Sequence, residues 1–560
     1  MLRSIRPKIA YSKLRRTRQI ISILVKYGFG TFLDQLRVLE HVKITTRILY
    51  RQREKFPRRT VPERLRLAIQ ELGPLYVKLG QILSTRPDII PRSFIVELGK
   101  LQNQVAPAPT DIAKSIVETE LGKSISEIFI SFDDKPLAAA SLSQVHRAVL
   151  TKNEVVAVKI QRPGITEIIN ADLEILHDLA VLTRRQLQGF GVPDAVALVE
   201  EISRNIRKEL DFRLEANNMQ RFGDNFKDSK YIHVPKVYHE LCTARVLVTE
   251  FITGITISET EKLIAEQYDL SIIARNCADA LLVSTLEHGF YHADPHSGNV
   301  LVMPGNVVCL LDFGLMGFAS IRQREKFANL LHQMWRQDEK RFTKSLLSMV
   351  QRTGSVDEEA LERDVAYKIQ EYAYLPITEL QLSSLLNMLR QLLTTHNLSF
   401  PTQLIWLLKS LATGEDIARR LGADFDMIEY ARKYGEKLLK HRLNPLYQAQ
   451  EISSTLLDLW ELVRDLPYEV KNIFYQLSEG LLKIEFEHIG LEPMRKSLER
   501  ASNRLALAVI IAAILVGSSM VVVSDVQPTV AGMPIISLIG YMVAGFMGTL
   551  LLISMLRKPK

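Results

Sequence analysis

The chain has 560 residues, 47% of them hydrophobic and 24% charged, enough for two to three domains of ordinary core packing. Its net charge of +8 is modest for this length and no nucleic-acid motif accompanies it, so nucleic acid is not an expected partner. Cys242, Cys277 and Cys309 are scattered without a CxxC pair, which excludes a disulfide scaffold or zinc-finger cluster and fits a reducing compartment.

The chain opens on cations. Arg3, Arg6, Lys8, Lys13, Arg15, Arg16 and Arg18 all precede the first acid, Asp34, and the stretch after them has apolar residues at roughly helical spacing. That pattern admits a membrane-surface helix, an organelle transit peptide, or a solvated basic tail before a packing helix. No secretory signal is expected, because no apolar core with a small-residue cleavage site opens the chain.

Residues 61–104 read as helix up to Pro87, and 110–130 as another helix. A short β-rich island follows: strand-like runs at 144–150 and 155–160 around a TKNE turn. Residues 165–190 and 194–222 return to helical periodicity, 246–252 is again β-rich, and helices dominate 270–290 and 320 to about 490. A small sheet-bearing lobe before a helical lobe is the plan of a kinase. The reading is therefore α+β, divided into a basic region (1–60), a helical extension (61–130), a small lobe (131–255), a large lobe (256–435), a further helical region (436–504) and a tail (505–560).

The tail holds two uncharged runs, 505–524 and 535–556, each near the roughly 20 residues needed to cross a bilayer. Arg495, Lys496, Arg500 and Arg504 precede the pair and Arg557, Lys558 and Lys560 follow it, whereas the link DVQPTVAGMP holds one acid and no Lys or Arg. The positive-inside rule puts both ends, and so the body, on the cytoplasmic side of a hairpin. Gly540, Ala544 and Gly548 recur every four residues, a spacing that lets helix backbones approach closely.

The chemistry is concentrated in short stretches. Phosphoryl transfer needs a carboxylate near the attacking hydroxyl and oxygen ligands that hold magnesium on the phosphates. Residues 292–299, HADPHSGN, supply Asp294 with Asn299 five positions later, and Asp312-Phe313-Gly314 follows a strand-like run. His292 and His296 have the HxxxH spacing of a helical zinc site, but Pro295 and Gly298 break any helix, so they read as loop histidines. Lys159 lies near the end of the strand VVAVKI, where a kinase places the lysine that grips the α- and β-phosphates. PLAAASLSQVH, 136–146, occupies the place of a kinase glycine-rich loop, making Leu137, Ala138, Ala139, Ala140, Ser141, Leu142, Ser143, Gln144 and Val145 candidate nucleotide contacts. Alanines allow close backbone approach without positive-φ states, so this loop should be stiffer than a glycine loop.

Together the AAAS loop, VAVK, HADPHSGN and DFG resemble the UbiB (AarF) family of atypical kinases, over roughly residues 60–430. YVKLGQ at 76–81 looks like that family's KxGQ signature and KELDFRLEAN at 208–217 like its ExD signature; the tail hairpin resembles bacterial members. The resemblance implies that Lys78 and Gln81 lie on an extension folded over the nucleotide pocket, faced by Glu209 and Asp211. It implies that Glu215 is the helix acid paired with Lys159. On one continuous helix Glu209 and Glu215 would point to different faces, as that division requires.

The resemblance further implies ATP or ADP binding, Mg²⁺ on Asn299 and Asp312, Asp294 as base or water-orienting residue, and a role in isoprenoid-quinone biosynthesis. Expected partners are membrane lipids or quinone precursors and quinone-biosynthesis enzymes, with the body at a bacterial inner membrane. After DFG the chain runs LMGFASIRQREKF into a helix with no APE motif, so a peptide-docking platform looks absent. Three function classes stay open: an ATPase or small-molecule kinase, a nucleotide-gated lipid-binding or assembly factor, and a Ser/Thr protein kinase.

Overall fold

Alternating apolar residues in 143–161 make a hairpin, and in the computed structural model it forms the middle of a five-stranded antiparallel sheet. The structure describes residues 5–36, 59–84, 90–101, 107–189, 194–293, 295, 297–352, 354–373, 382–422, 432–437, 491–524, 527–530 and 533–556, with isolated positions between 460 and 475. Two compact units divide the chain, residues 1–449 and 450–560.

The first unit begins with α1 (Ile5–Lys26), α2 (Val61–Leu72), α3 (Pro74–Ser84), α4 (Arg92–Leu98) and α5 (Thr110–Leu121). α2 starts at a capping box in which Thr60 and Glu63 satisfy each other's backbone N–H groups. Ile20, Ile21, Ile23 and Val25 of α1 are buried, and Arg16 forks onto the buried Asp172 at 2.7 and 2.8 Å. Of the three readings of the N-terminus, this favours the packing helix, since the apolar residues a surface helix would insert into lipid are already covered.

The small-lobe sheet runs β1 (Phe129–Phe132), β3 (Ser143–Leu150), β4 (Val155–Gln161), β6 (Val246–Glu250), with β2 (Ala138–Ala139) also on β3. Periodicity alone carries a helix over 110–130 and hides β1; the helix in fact stops at Gly122, which takes a left-handed φ of 66°. Val156, Val158 and Ile160 face one way and are fully buried against Ile116 and Val117 of α5. The opposite face of β4 presents Ala157 and Lys159 to the cleft.

α6 (Ile165–Gly189), α7 (Ala195–Glu209) and α8 (Phe212–Asn225) follow the hairpin. The expected single helix over 194–222 is broken at Leu210–Asp211, because Asp211 takes extended backbone and caps α8. Glu209 and Glu215 therefore diverge by sitting on separate helices, and not by rotation along one.

The large lobe has its own four-stranded sheet, of which the sequence pattern announces only the strand-like run before DFG: β5 (Ile232–His233), β10 (Val307–Leu310), β9 (Val300–Met303) and β7 (Ile255–Thr256), in that order. α9 (Leu270–Leu282) packs beside it, and β8 (Phe290–His292) pairs antiparallel with β11 (Met316–Phe318). α10 (Ile321–Trp335), α11 (Glu339–Leu347), α12 (Glu358–Ala373), α13 (Leu382–Thr395) and α14 (Thr402–Arg420) enclose a core of Phe327, Phe342, Leu361, Leu389 and Leu407. Each such side chain contributes about 1.5–3 kcal/mol by leaving water.

In the second unit, α15 (Leu491–Val523) and α16 (Ile535–Leu556) pack together. Ser497–Val523 and Ile535–Leu552 are long and apolar enough to cross a membrane, and few of their residues are buried. A core helix of a soluble domain would bury its apolar surface. Gly540 lies so close to Ser518 that any side chain would collide with its hydroxyl, and Ala544 is buried. Gly548 has open space around it, so the close approach ends before the third position of the predicted stripe.

Candidate functional site

Lys159 sits opposite Val145 and Leu247 in the sheet, which aims its side chain into a cleft of about 1050 Å³ between the lobes and beneath the extension. Its ammonium donates to both oxygens of Glu215, at 2.6 and 2.8 Å. Glu215 lies in the first turn of α8, whose apolar face (Phe212, Ala216, Met219 and Phe222) is buried toward the large lobe. Burial works against the charge on Lys159, but Glu215 and then Asp312 more than offset it and hold its pKa above the ordinary value. Burial likewise pushes the Glu215 carboxyl up, opposed by Lys159.

Asp312 is the third member of this group, 3.9 Å from Lys159 Nζ. Its Oδ1 accepts from Gly314 N–H at 2.9 Å, and its Oδ2 from Asn299 Nδ2 at 3.2 Å. Burial opposes its ionisation, yet Lys159, His292 and the Gly314 N–H hold its pKa well below the usual carboxylate range. Phe313 is fully buried against Phe222, and Asn218 donates to its carbonyl, so the DFG segment is locked to α8. His292 Nε2 meets the Asp312 carbonyl at 2.6 Å. It ends strand β8, so the helical geometry that an HxxxH zinc site needs does not form at this residue. Asp294 and His296 lie outside the described residues.

Asn299 and Asp312 offer hard oxygen ligands converging at the cleft, a donor set suited to Mg²⁺. No cluster of three or more His, Cys, Asp or Glu able to hold a metal occurs among the described residues, so a cation here would complete its shell from phosphate and water.

The alanine loop forms a tight hairpin. Leu137 N–H donates to Val145 O and Ala140 N–H to Ser143 O, both at 2.8 Å, and no residue of the loop has positive φ. Leu137, Ala138, Ala140, Ser141, Leu142, Ser143 and Val145 line the cleft. Ala139 and Gln144 do not. The pleat turns Gln144 to the opposite face, where its Oε1 accepts from Ala108 N–H at 2.9 Å and its Nε2 meets His146. Leu142, at the tip, packs into the core formed by Ile69, Leu72, Leu98 and Leu101 of the extension. The tip of the loop is thus buried with the core of the extension.

The extension reaches the cleft through Lys78 and Gln81. Lys78 Nζ lies 2.8 Å from Glu209 Oε2, and Gln81 Nε2 donates to Leu101 O at 3.2 Å. Gly80 between them permits this packing, since a Cβ there would stand 2.5 Å from Leu101 Cδ1. Asp211 turns away from the extension. It caps α8 and holds Arg213 through two bonds of 2.9 and 2.8 Å. An Asp immediately before a helix start is drawn to the free N–H groups of that helix.

The cleft also has walls that no motif marks: Thr249, Glu250, Phe251 and Ile252 at the end of β6, Leu301 on β9, and Lys409 on α14. In the sequence, the lobe-to-lobe connection at 249–252 is visible only as a β-rich run.

Residues 100–346 match the family described as ABC1 atypical kinase-like domain, 365–426 the UbiB helical domain, and 489–557 the ABC1/UbiB kinase-like C-terminal domain. A probable protein kinase UbiB of Pseudomonas fluorescens is 32% identical, across 81% of this chain and 86% of its own length. The chain belongs to the UbiB/ABC1 family. Other relatives extend the likeness: an uncharacterized protein in the hydrogenase 1 5' region of Clostridium pasteurianum is 31% identical, across 97% of this chain and 98% of its own length. The chloroplastic protein ACTIVITY OF BC1 COMPLEX KINASE 7 of Arabidopsis thaliana is 31% identical, across 85% and 68%. The three UbiB/ABC1 matches fall on the stretch from α5 through the small lobe to α11, on α12–α14, and on the α15–α16 pair.

Proposed function

We propose that the cleft binds ATP or ADP with Mg²⁺ and that the chain is an atypical kinase or ATPase acting in, or regulating, isoprenoid-quinone biosynthesis at a membrane. The observation that carries this is the convergence of Lys159, Glu215, Asn299 and Asp312 on one cleft, with Lys159 between Glu215 at 2.6 Å and Asp312 at 3.9 Å. Glu215 fixes the Lys159 ammonium where it can donate to the α- and β-phosphates, and the backbone of the alanine loop covers them. Asn299 and Asp312 would hold the magnesium, which neutralises phosphate charge when bound. Asp294 accepts the proton of the attacking hydroxyl or water. The quinone role rests on the UbiB name of the relatives, and the membrane role on the two apolar helices. By the distribution of Lys and Arg around them, the body faces the cytoplasm.

One observation favours a second reading, a nucleotide-gated lipid-binding or assembly factor that interacts with quinone precursors or biosynthetic enzymes without phosphorylating a substrate. The Lys78–Glu209 pair and the Leu142 clamp hold the extension over the cleft, which restricts an acceptor. Ser/Thr protein kinase activity comes third, because only residues 315–320 separate DFG from α10, too few for a peptide platform.

Purified protein incubated with γ-labelled ATP and a lipid extract of the quinone pathway separates these readings. Label in a lipid supports the kinase, label released as phosphate the ATPase, and no turnover with intact binding the gated factor. Asp294→Asn retains nucleotide and loses turnover under the first two.

A further inference from the structure

We infer that Lys409 reads the γ-phosphate, so that α14 of the helical lobe senses whether the cleft holds a nucleoside triphosphate or diphosphate. The inference rests on the nucleotide reading above.

The loop 292–299 contains no Lys or Arg. At the end of the cleft marked by Asn299 and Asp312, Lys159 lies 3.9 Å from Asp312 but the loop itself supplies no cation, although a triphosphate would bring its terminal charge there. Lys159, on the small-lobe sheet and held by Glu215 at 2.6 Å, is placed for the inner phosphates. Lys78, on the extension, meets Glu209 at 2.8 Å at the mouth. Lys409 lines the same cleft as Asn299, Asp312 and Gly314, and it comes from α14 of the helical lobe.

Its position is fixed by its neighbours. Ser410, the next residue and fully buried, donates to the His292 carbonyl at 2.6 Å. Tyr291 Oη donates to Gln403 O at 3.0 Å, so α14 is pinned to β8 at two points one residue apart along the strand. His292 in turn contacts the Asp312 carbonyl. A shift of α14 would thus move the DFG segment with it. The ammonium of Lys409 stands 5.5 Å from the Trp406 ring centroid, a contact that orients the long stem. A half-buried lysine beside an aromatic ring in the lining of an anion site is a point charge suited to phosphate. The bland competitor is a lysine kept only for its packing on Trp406.

Binding of MgADP and of the magnesium complex of β,γ-imido-ATP to the full-length protein in detergent tests this, with wild type, Lys409→Ala and Lys409→Arg compared. Lys409→Ala weakens the imido-ATP complex by roughly tenfold to a hundredfold, the range for a lost charged hydrogen bond, and leaves MgADP within about twofold. Lys409→Arg recovers much of the loss. Equal losses for both nucleotides, no loss for either, or a lowered melting temperature without nucleotide would each overturn the assignment. Wild type that binds neither nucleotide overturns the reading of the cleft itself; wild type that binds both, with unaltered variants, overturns only the role of Lys409.

Discussion

Lys78 and Glu209 meet at 2.8 Å across the mouth of the cleft, one on the extension and the other on the last turn of α7, both largely withdrawn from water. In that partly buried setting, loss of Lys78 takes from the Glu209 carboxylate the cation it meets. A double-mutant cycle of Lys78→Ala and Glu209→Ala, read out as nucleotide affinity, should give a coupling of about 0.5–3 kcal/mol. Lys78→Ala should alter nucleotide selectivity more than folding. Coupling within error of zero would show that the pair does not latch the cover.

The clamp on the alanine loop is a packing matter. Leu142→Ala truncates a buried side chain of the core that also holds Ile69, Leu98 and Leu101 and should destabilise the extension by about 2–5 kcal/mol. Hydrogen exchange should rise in α3, α4 and the loop together, and nucleotide should dissociate faster. Faster exchange confined to the loop would mean that the extension does not depend on Leu142.

Lys159→Ala strands Glu215, whose carboxyl burial already pushes upward. With a folded-state pKa above the unfolded value, its contribution is fully present below the unfolded pKa and is lost as pH rises through the folded one. The deficit of the variant against wild type should therefore be larger at pH 8 than at pH 5.5, measured as melting temperature. A deficit independent of pH would mean that Glu215 finds another cation.

How much of this is legible in the sequence depends on whether the signal is local. Lys159, Asn299 and Asp312 are readable because phosphate chemistry fixes residue types at short spacings. The partners of Lys78 are half readable: Glu209 meets it, but Asp211 turns to cap α8, a choice that a capping position makes and a motif does not announce. The outer strands of the large-lobe sheet are hidden because Ile232–His233 and Ile255–Thr256 are too short for any period-2 pattern. Lys409 stands in LLKSLATGEDIARRL, a stretch that shares the family resemblance, but nothing in the sequence ties it to the cleft; the pinning of Ser410 to His292 does.

The proposed membrane attachment rests on the two apolar helices of the tail. Deletion of residues 505–560 should move the body into the soluble fraction. Reporter fusions at Val530 and after Lys560 should report opposite sides of the membrane. Reporters on one side would exclude the spanning hairpin.

The central claim is nucleotide binding at the Lys159–Glu215–Asp312 group, and a MgATP titration followed by thermal shift tests it most directly. Wild type should show a saturable, magnesium-dependent rise in melting temperature. Lys159→Ala should need more nucleotide for the same rise, and Asp312→Asn should lose the magnesium dependence. Identical shifts in all three proteins, or none in wild type, would contradict the account.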